Sequence, residues 1–293
     1  HKFQDYGAWR KQVSDQVQDF RRWLQEHDLS DAQVELRTNQ IVDRLAEDRL
    51  TIAFVAEFSR GKSELINAIF FADYGRRLLP TSAGRTTMCP TEIKWNPEQP
   101  PSLQVLPIET RGAQASINDF KKIPDEWTTF PLDVSSAESL VRTLQRIRDT
   151  KRIPIGEARG YGLFVHSEPD EALREGDSSM VEVPRWRHAV INFPHPLLAQ
   201  GLVILDTPGL SALGSEPELT LDLLPNAHAV LFLLGLDTGV SKSDLQIWQS
   251  HIQPAGKREL CRFAVLNKID ALWDGIRTDE QIEAEVLQQV FYC

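Results

Sequence analysis

Cysteine is scarce in this chain. There are three in 293 residues, Cys89, Cys261 and Cys293, and they show no metal-ligand or disulfide spacing. That excludes a disulfide-stapled scaffold and a zinc module, and makes a reducing cytosol the simplest setting. Long apolar runs are missing too. The longest are strand-sized, such as residues 229–234, far short of a membrane-spanning helix. No signal-peptide pattern stands out. Positive charge falls behind negative, 32 Lys and Arg against 42 Asp and Glu, for a net charge of −10. Such a balance argues against broad, direct binding of nucleic acid. The histidines form no ligand-spaced pair; His188 and His195 flank a strand-like run and suit structural roles. Internal repeats and low-complexity tracts are also lacking. What remains is 41% hydrophobic and 25% charged, enough to bury one substantial α/β core with additions.

The most informative stretch runs Val55-Ala56-Glu57-Phe58-Ser59-Arg60-Gly61-Lys62-Ser63. Residues 51–56 read as a short buried strand, and residues 64–71 as the first turns of a helix. The loop between them ends in Gly-Lys-Ser. Backbone N–H groups of such a loop curl around phosphate oxygens, the Lys reaches the β- and γ-phosphates, and the Ser hydroxyl binds Mg²⁺. Ala56 stands where the usual pattern has its first Gly. Ala still allows close backbone packing where its φ is negative.

Two later motifs identify the nucleotide. An apolar strand at 201–205 runs into Asp206-Thr207-Pro208-Gly209. A carboxylate there can hold Mg²⁺ through water, and the Gly209 N–H can sense the γ-phosphate. Another apolar strand ends in Asn267-Lys268-Ile269-Asp270. The Asp270 carboxylate can accept both the N1–H and the exocyclic amine of guanine, where adenine has no matching donors. Asn267 and Lys268 would tie the base loop to the phosphate loop and cover the ring. Each motif alone has a bland reading as a turn. Their order, and their shared place at strand C-terminal ends, predict one GTP site at the edge of a parallel sheet.

Residues 1–48 are expected as two helices. Trp9, Val13, Val17, Phe20 and Leu24 form one apolar stripe; Ser30-Asp-Ala-Gln33 reads as a capping box for the second helix, with Val34, Ile41 and Leu45 on its stripe. They either cover the sheet or begin a helical bundle completed by later chain, and the upstream start favours the bundle. Residues 49–293 are expected as the nucleotide domain. They include an insertion at about 97–183, a strand at 102–108, a capped helix at 135–153, and a polar stretch at 167–179. Strands at 188–193 and 201–205 are expected to pair as a hairpin. Arg142, Arg146, Arg148, Lys151 and Arg152 crowd the insertion and read as a solvated face. The missing initial Met, and the short tail after Asp270, suggest a piece of a longer protein.

Hydrolysis needs a water in line with the γ-phosphorus and positive charge on the transition state. Small switch GTPases often orient that water with a Gln directly after the D-x-x-G motif; here that position is Leu210. The first switch is expected at residues 78–91. Thr87 is the first choice for a Mg²⁺-coordinating threonine, and Thr86 the runner-up.

Taken together, VAEFSRGKSELINAIFF, LLPTSAGRTTMCPTEI, DTPGL and LNKID resemble the GTPase domain of the dynamin superfamily, in particular its bacterial dynamin-like members. The resemblance covers about residues 50–275. It implies an α/β P-loop GTPase domain, with a mostly parallel central sheet flanked by helices, and N-terminal helices of a bundle. It also implies a GTP hydrolase activated when two GTPase domains meet, a homodimer through that domain. Ser59 would hold a catalytic K⁺ with help from Gly84, Thr87 falls on the switch threonine, and Ser63, Thr87 and Asp206 on the Mg²⁺ ligands. Lys62, Ser63, Asp206, Gly209, Asn267, Lys268 and Asp270 fall on nucleotide ligands, alongside loop residues Phe58, Arg60 and Gly61. Phe58 stands where eukaryotic dynamins carry a Gln supporting the catalytic water. Arg60 either reaches the phosphates or an opposite domain, or is a plain surface residue. The leading expectation is a cytoplasmic, peripherally membrane-associated GTPase coupling GTP turnover to GDP with remodelling of a membrane or polymer. Any membrane contact would use regions outside this chain. The alternatives are a monomeric switch that binds a protein effector, and a nucleotide-binding scaffold without turnover.

Overall fold

The computed structural model describes residues 2–27, 29–46, 49–80, 89–113, 115–163, 180–207, 223–224, 227–253, 261–272 and 278–292. The chain divides into two compact units, His1–Leu50 and Thr51–Cys293.

The first unit consists of α1 (Lys2–Glu26) and α2 (Ala32–Ala46), packed on each other. Asp31, rather than Ser30, caps α2: its Oδ1 accepts the Val34 N–H at 2.7 Å. Ser30 Oγ instead donates to Glu35 Oε1, where Arg21 and Gln25 converge from α1 at 2.8 and 2.6 Å. Hydrogen bonds from Gln25 and Ser30, with Arg21, hold the Glu35 carboxyl below the usual carboxylate range. The apolar stripe is only partly covered. Val13, Val17 and Leu24 are half-buried, whereas Trp9, Phe20 and Trp23 are exposed.

The strands follow in chain order as β1 (Leu50–Ala56), β2 (Thr91–Lys94), β3 (Ser102–Pro107), β4 (Thr128–Pro131), β5 (Thr150–Pro154), β6 (Met180–Pro184), β7 (Trp186–Asn192), β8 (Leu202–Asp206), β9 (Ala229–Gly235) and β10 (Cys261–Asn267). Between and after them come α3 (Lys62–Phe70), α4 (Ile117–Phe120), α5 (Ala137–Leu144), α6 (Ile155–Gly160), α7 (Pro196–Ala199), α8 (Lys242–Ile247) and α9 (Asp279–Tyr292). Among the described residues, eight strands form one large, mostly parallel sheet in the order β10-β9-β1-β8-β2-β7-β3-β4. Antiparallel pairing enters where β2 meets β8 and where β3 joins β7 and β4.

Strands β1, β8 and β9 are nearly continuous apolar runs because both faces are covered. Every residue of β7 and β8 is buried. Ala53 and Val55 of β1, Leu205 of β8, and Val230, Phe232 and Leu234 of β9 share one core with Ile247 and Ile252. Trp248, in the wide helical turn Trp248–Ile252 that extends α8, packs its ring 5.6 Å from Phe232. This core fixes the C-terminal ends of β1, β8, β9 and β10, where the nucleotide motifs sit.

Three expectations are corrected. Strands β7 and β8 do not pair as a hairpin, because β2 lies between them, parallel to β7 and antiparallel to β8. The helix expected to reach residue 153 ends at Leu144; a 3-10 turn follows, and then β5. Ile153 faces a small satellite core with Ile108, Ala158, Leu163 and Val183, and that burial selects a strand over a longer helix. The segment expected as an insertion also supplies β3 and β4 to the edge of the central sheet. Within it, Arg142 pairs with Glu138 at the surface and Arg146 lies over the Phe130 ring. The polar stretch at 167–179 lies outside the described residues.

Candidate nucleotide site

The apolar strand β1 ends on Ala56, which is buried and paired with Leu233 of β9. Its φ is not positive, so the methyl group is accommodated where the common pattern has Gly. The chain then turns sharply through residues 57–61. Ser59 has φ 66 and Gly61 φ 82. Among the described residues, the non-glycine positions with positive φ are Ser59 and Lys268, one in each of two candidate nucleotide loops. Backbone strain of this kind persists where surrounding structure over-determines it. Gly61 is the N-cap of α3 and offers no side-chain cap. The first-turn N–H groups of α3 thus have no capping side chain, the arrangement that receives an anion at a helix N-terminus.

Lys62 opens α3 and reaches across to the end of β8. Its Nζ donates to Asp206 Oδ1 at 2.5 Å, and the side chains are 11% and 7% exposed. A phosphate-loop lysine and the strand-end aspartate are therefore in direct contact. The neighbouring Thr207 is buried, and its Oγ1 donates to the Phe54 carbonyl at 2.8 Å, tying this strand end to β1. Thr91, at the start of β2 and at one end of the segment expected as the first switch, lies opposite Asp206 in register. The other end of that segment is fixed by Asn67 of α3. Its Oδ1 accepts the N–H groups of Leu78 and Leu79 at 2.9 and 2.8 Å, while its Nδ2 donates to the Ser63 and Leu79 carbonyls. Beyond Thr91, Glu92 is buried beside Lys121 and Lys94. Burial pushes its carboxyl up, but the His188 hydrogen bond and the two ammonium groups outweigh this and hold it well below the usual range.

The base loop follows β10. Asn267 Nδ2 donates to the Arg60 carbonyl at 2.8 Å, so this loop is fastened to the phosphate loop. The contact is tight: a Cβ on Gly61 would lie 2.5 Å from Asn267 Nδ2. Lys268 turns elsewhere, donating from Nζ to Asp237 Oδ2 at 2.7 Å in the loop after β9. That hydrogen bond holds the Asp237 carboxyl below its usual range. Asp270 is exposed at the start of a 3-10 turn. Phe58 and Ser59 are also exposed on the phosphate loop. Arg60 is neither a surface residue nor aimed away from the fold; it is 6% exposed and bound to Asp244. Gly84, Thr86, Thr87, Gly209 and Leu210 lie outside the described residues.

The donor set can be tested against Mg²⁺. Asp206 already accepts a cation, the Lys62 ammonium, and the Ser63 hydroxyl follows on the same helical turn. A carboxylate and a hydroxyl are hard oxygen donors, the chemistry Mg²⁺ takes alongside phosphate oxygens. The residues present fit the ion.

Several positions that hold this site together were not singled out in the sequence. Asn67 and Asp237 carried no local signal separating them from ordinary helix or turn residues, and Thr207 stood in the Asp206–Gly209 motif without a role of its own. Asp244 did: Ser241-x-x-Asp244 is a capping pattern, and both of its reciprocal bonds are present.

The Dynamin family profile matches residues 52–269. The bacterial dynamin-like protein of Nostoc punctiforme is 21% identical over 229 residues, covering 78% of this chain and 26% of that protein. Dynamin-like protein 2 of Campylobacter jejuni is 24% identical over 226 residues, covering 77% and 27%. The chain thus spans about a quarter of the length of these relatives. A solved oligomerised bacterial dynamin pair, described as a mechanism for long-range sensing and tethering of membranes, aligns with 87% of this chain and 31% of its own. Its identity is 21% and its TM-score 0.46.

Proposed function

This chain belongs to the dynamin family and carries its GTPase domain, and from that premise we propose that it binds and hydrolyses GTP at the loops described above, with turnover stimulated when two GTPase domains meet. The observation that carries the reading is the interlock of three motifs distant in sequence. Lys62 touches Asp206, and Asn267 holds the Arg60 carbonyl against Gly61. A triphosphate would lie along the uncapped start of α3, with its base over residues 267–270.

In this reading Lys62 exchanges Asp206 for β- and γ-phosphate oxygens, which frees the carboxylate. Ser63 and Asp206, with Thr87 from the switch, would hold Mg²⁺, which neutralises charge on the phosphate oxygens. Gly209 would report the γ-phosphate through its N–H, and Asp270 would select guanine by accepting two donors from its edge. Phe58 and Ser59 line the exposed rim of the phosphate loop. Ser59, with Gly84, would hold K⁺, adding positive charge where Leu210 leaves the water unassisted. Assembly through the GTPase domain would then couple hydrolysis to remodelling of a membrane or another polymeric surface. No helix among the described residues is long and apolar enough to cross a membrane. In this reading the membrane contact is peripheral and made by regions outside this chain.

The test is GTP turnover per molecule against protein concentration, in K⁺ and in Na⁺, with and without liposomes. Dimer activation predicts a rise with concentration and a larger rate in K⁺. A rate flat across both titrations would instead identify a monomeric switch that hands its GTP form to an effector.

A further inference from the structure

Arg60 directly precedes Gly61-Lys62-Ser63, a position from which a guanidinium could reach phosphate. The fold sends it the other way. Its Nη2 donates to Asp244 Oδ2 at 2.6 Å and to Ser241 Oγ at 3.3 Å, and its Nη1 donates to Thr238 Oγ1. Asp244 is fully buried and is the third residue of α8, where its Oδ2 also accepts the Ser241 N–H at 2.9 Å. Room for this arrangement comes from Gly235 at the end of β9. A Cβ there would approach Arg60 Cδ to 3.3 Å and Asp237 Oδ1 to 2.6 Å.

The turn that receives Arg60 is also held from the base side. Lys268 binds Asp237, the neighbour of Thr238, and the Leu236 N–H donates to the Asn267 carbonyl at 3.0 Å. Meanwhile the Arg60 carbonyl accepts from Asn267. One residue therefore joins the phosphate loop to the base loop through its backbone, and to the turn bracing the base loop through its side chain. A planar guanidinium suits this task because it addresses several oxygens at fixed angles, which a lysine cannot.

Resting on the GTP reading above, we propose that Arg60 is a positioning residue: it clamps the phosphate loop to the turn at 237–241 and so fixes the spacing between the phosphate and guanine ends of the site. It is neither a phosphate ligand nor an arginine offered to a second GTPase domain. The clamp touches nothing that differs between GTP and GDP. Its loss therefore weakens both nucleotides alike, whereas loss of a transition-state arginine spares GDP and collapses turnover.

The experiment compares Arg60→Met, Arg60→Lys, Asp244→Asn and the double variant Arg60→Met/Asp244→Asn. It reads affinity for GDP and for GDP with aluminium fluoride, together with KM and kcat. The clamp predicts that Arg60→Met and Asp244→Asn each weaken both ligands by the same factor, about tenfold or more. KM rises while kcat stays within about threefold, Arg60→Lys is intermediate, and the double variant is no worse than either single one. A purely structural pair would lower the melting temperature and leave GDP affinity of the folded protein unchanged, which overturns the proposal. Unchanged GDP affinity with a kcat reduced about a thousandfold also overturns it, in favour of a catalytic arginine. Should Arg60→Met fail to fold, Asp244→Asn and Arg60→Lys decide on the same readouts. A wild-type chain without GDP affinity sinks the GTP reading and the clamp together; a wild-type chain with normal affinity and unaffected variants sinks the clamp alone.

Discussion

A methyl group at position 61 would land 2.5 Å from Asn267 Nδ2, on a backbone already at φ +82. Either problem alone disfavours a side chain there. The left-handed conformation costs a non-glycine residue roughly 1–2 kcal/mol, and relief of the clash must displace Asn267 from the Arg60 carbonyl. Gly61→Ala is expected to weaken GDP binding by at least about tenfold, since about 1.4 kcal/mol is a factor of ten. Titration of a fluorescent GDP checks this, and wild-type affinity would mean that the two loops separate when nucleotide binds. Gly61, Lys62 and Asp206 could be proposed from the sequence because their chemistry is local to a motif. The destination of Arg60 could not. A guanidinium beside a phosphate loop looks the same on paper whether it faces the ligand or Asp244, 184 residues away.

At the scale of elements, both described ends of the segment expected as the first switch are held in place. One is the start of β2, where Thr91 lies opposite Asp206. The other is the pair Leu78 and Leu79, whose N–H groups both donate to Asn67 on α3. Asn67→Leu leaves these two buried donors without their acceptor, at about 1–3 kcal/mol each. The variant should lose at least about 2 kcal/mol in chemical denaturation, and its kcat for GTP should fall further than its GDP affinity, because the switch root moves while the phosphate loop stays. An unchanged kcat would show that the root does not govern the switch. The positions of β1, β8, β9 and β10 were legible from apolar runs, but their neighbours were not, and β4, β5 and β6 carry no such run. Residues 188–193 and 201–205 look like hairpin arms, yet β2, remote in sequence, separates them. Likewise the pattern at 135–153 suits a helix until Ile153 is drawn into the satellite core with Val183.

For the molecule as a whole, the candidate nucleotide residues all belong to the unit Thr51–Cys293, and α1 and α2 to the other. Removing residues 1–48 is therefore expected to leave GDP affinity within about twofold of the intact chain, against the factor of ten that 1.4 kcal/mol would bring. A larger loss, measured by calorimetry, would show that the helices support the site. The sequence by itself determined the GTPase class and the order of the three candidate loops. A phosphate loop, a Mg²⁺ carboxylate and a guanine acceptor each demand particular side chains at short spacing, and short spacing survives in one dimension. Only the tertiary structure decided which strands adjoin, where Arg60 points, and that Asn67 holds Leu78 and Leu79 while Asp244 holds Arg60. Those outcomes depend on burial and on partners brought together across long stretches of chain, where an asparagine or aspartate takes its meaning from what surrounds it.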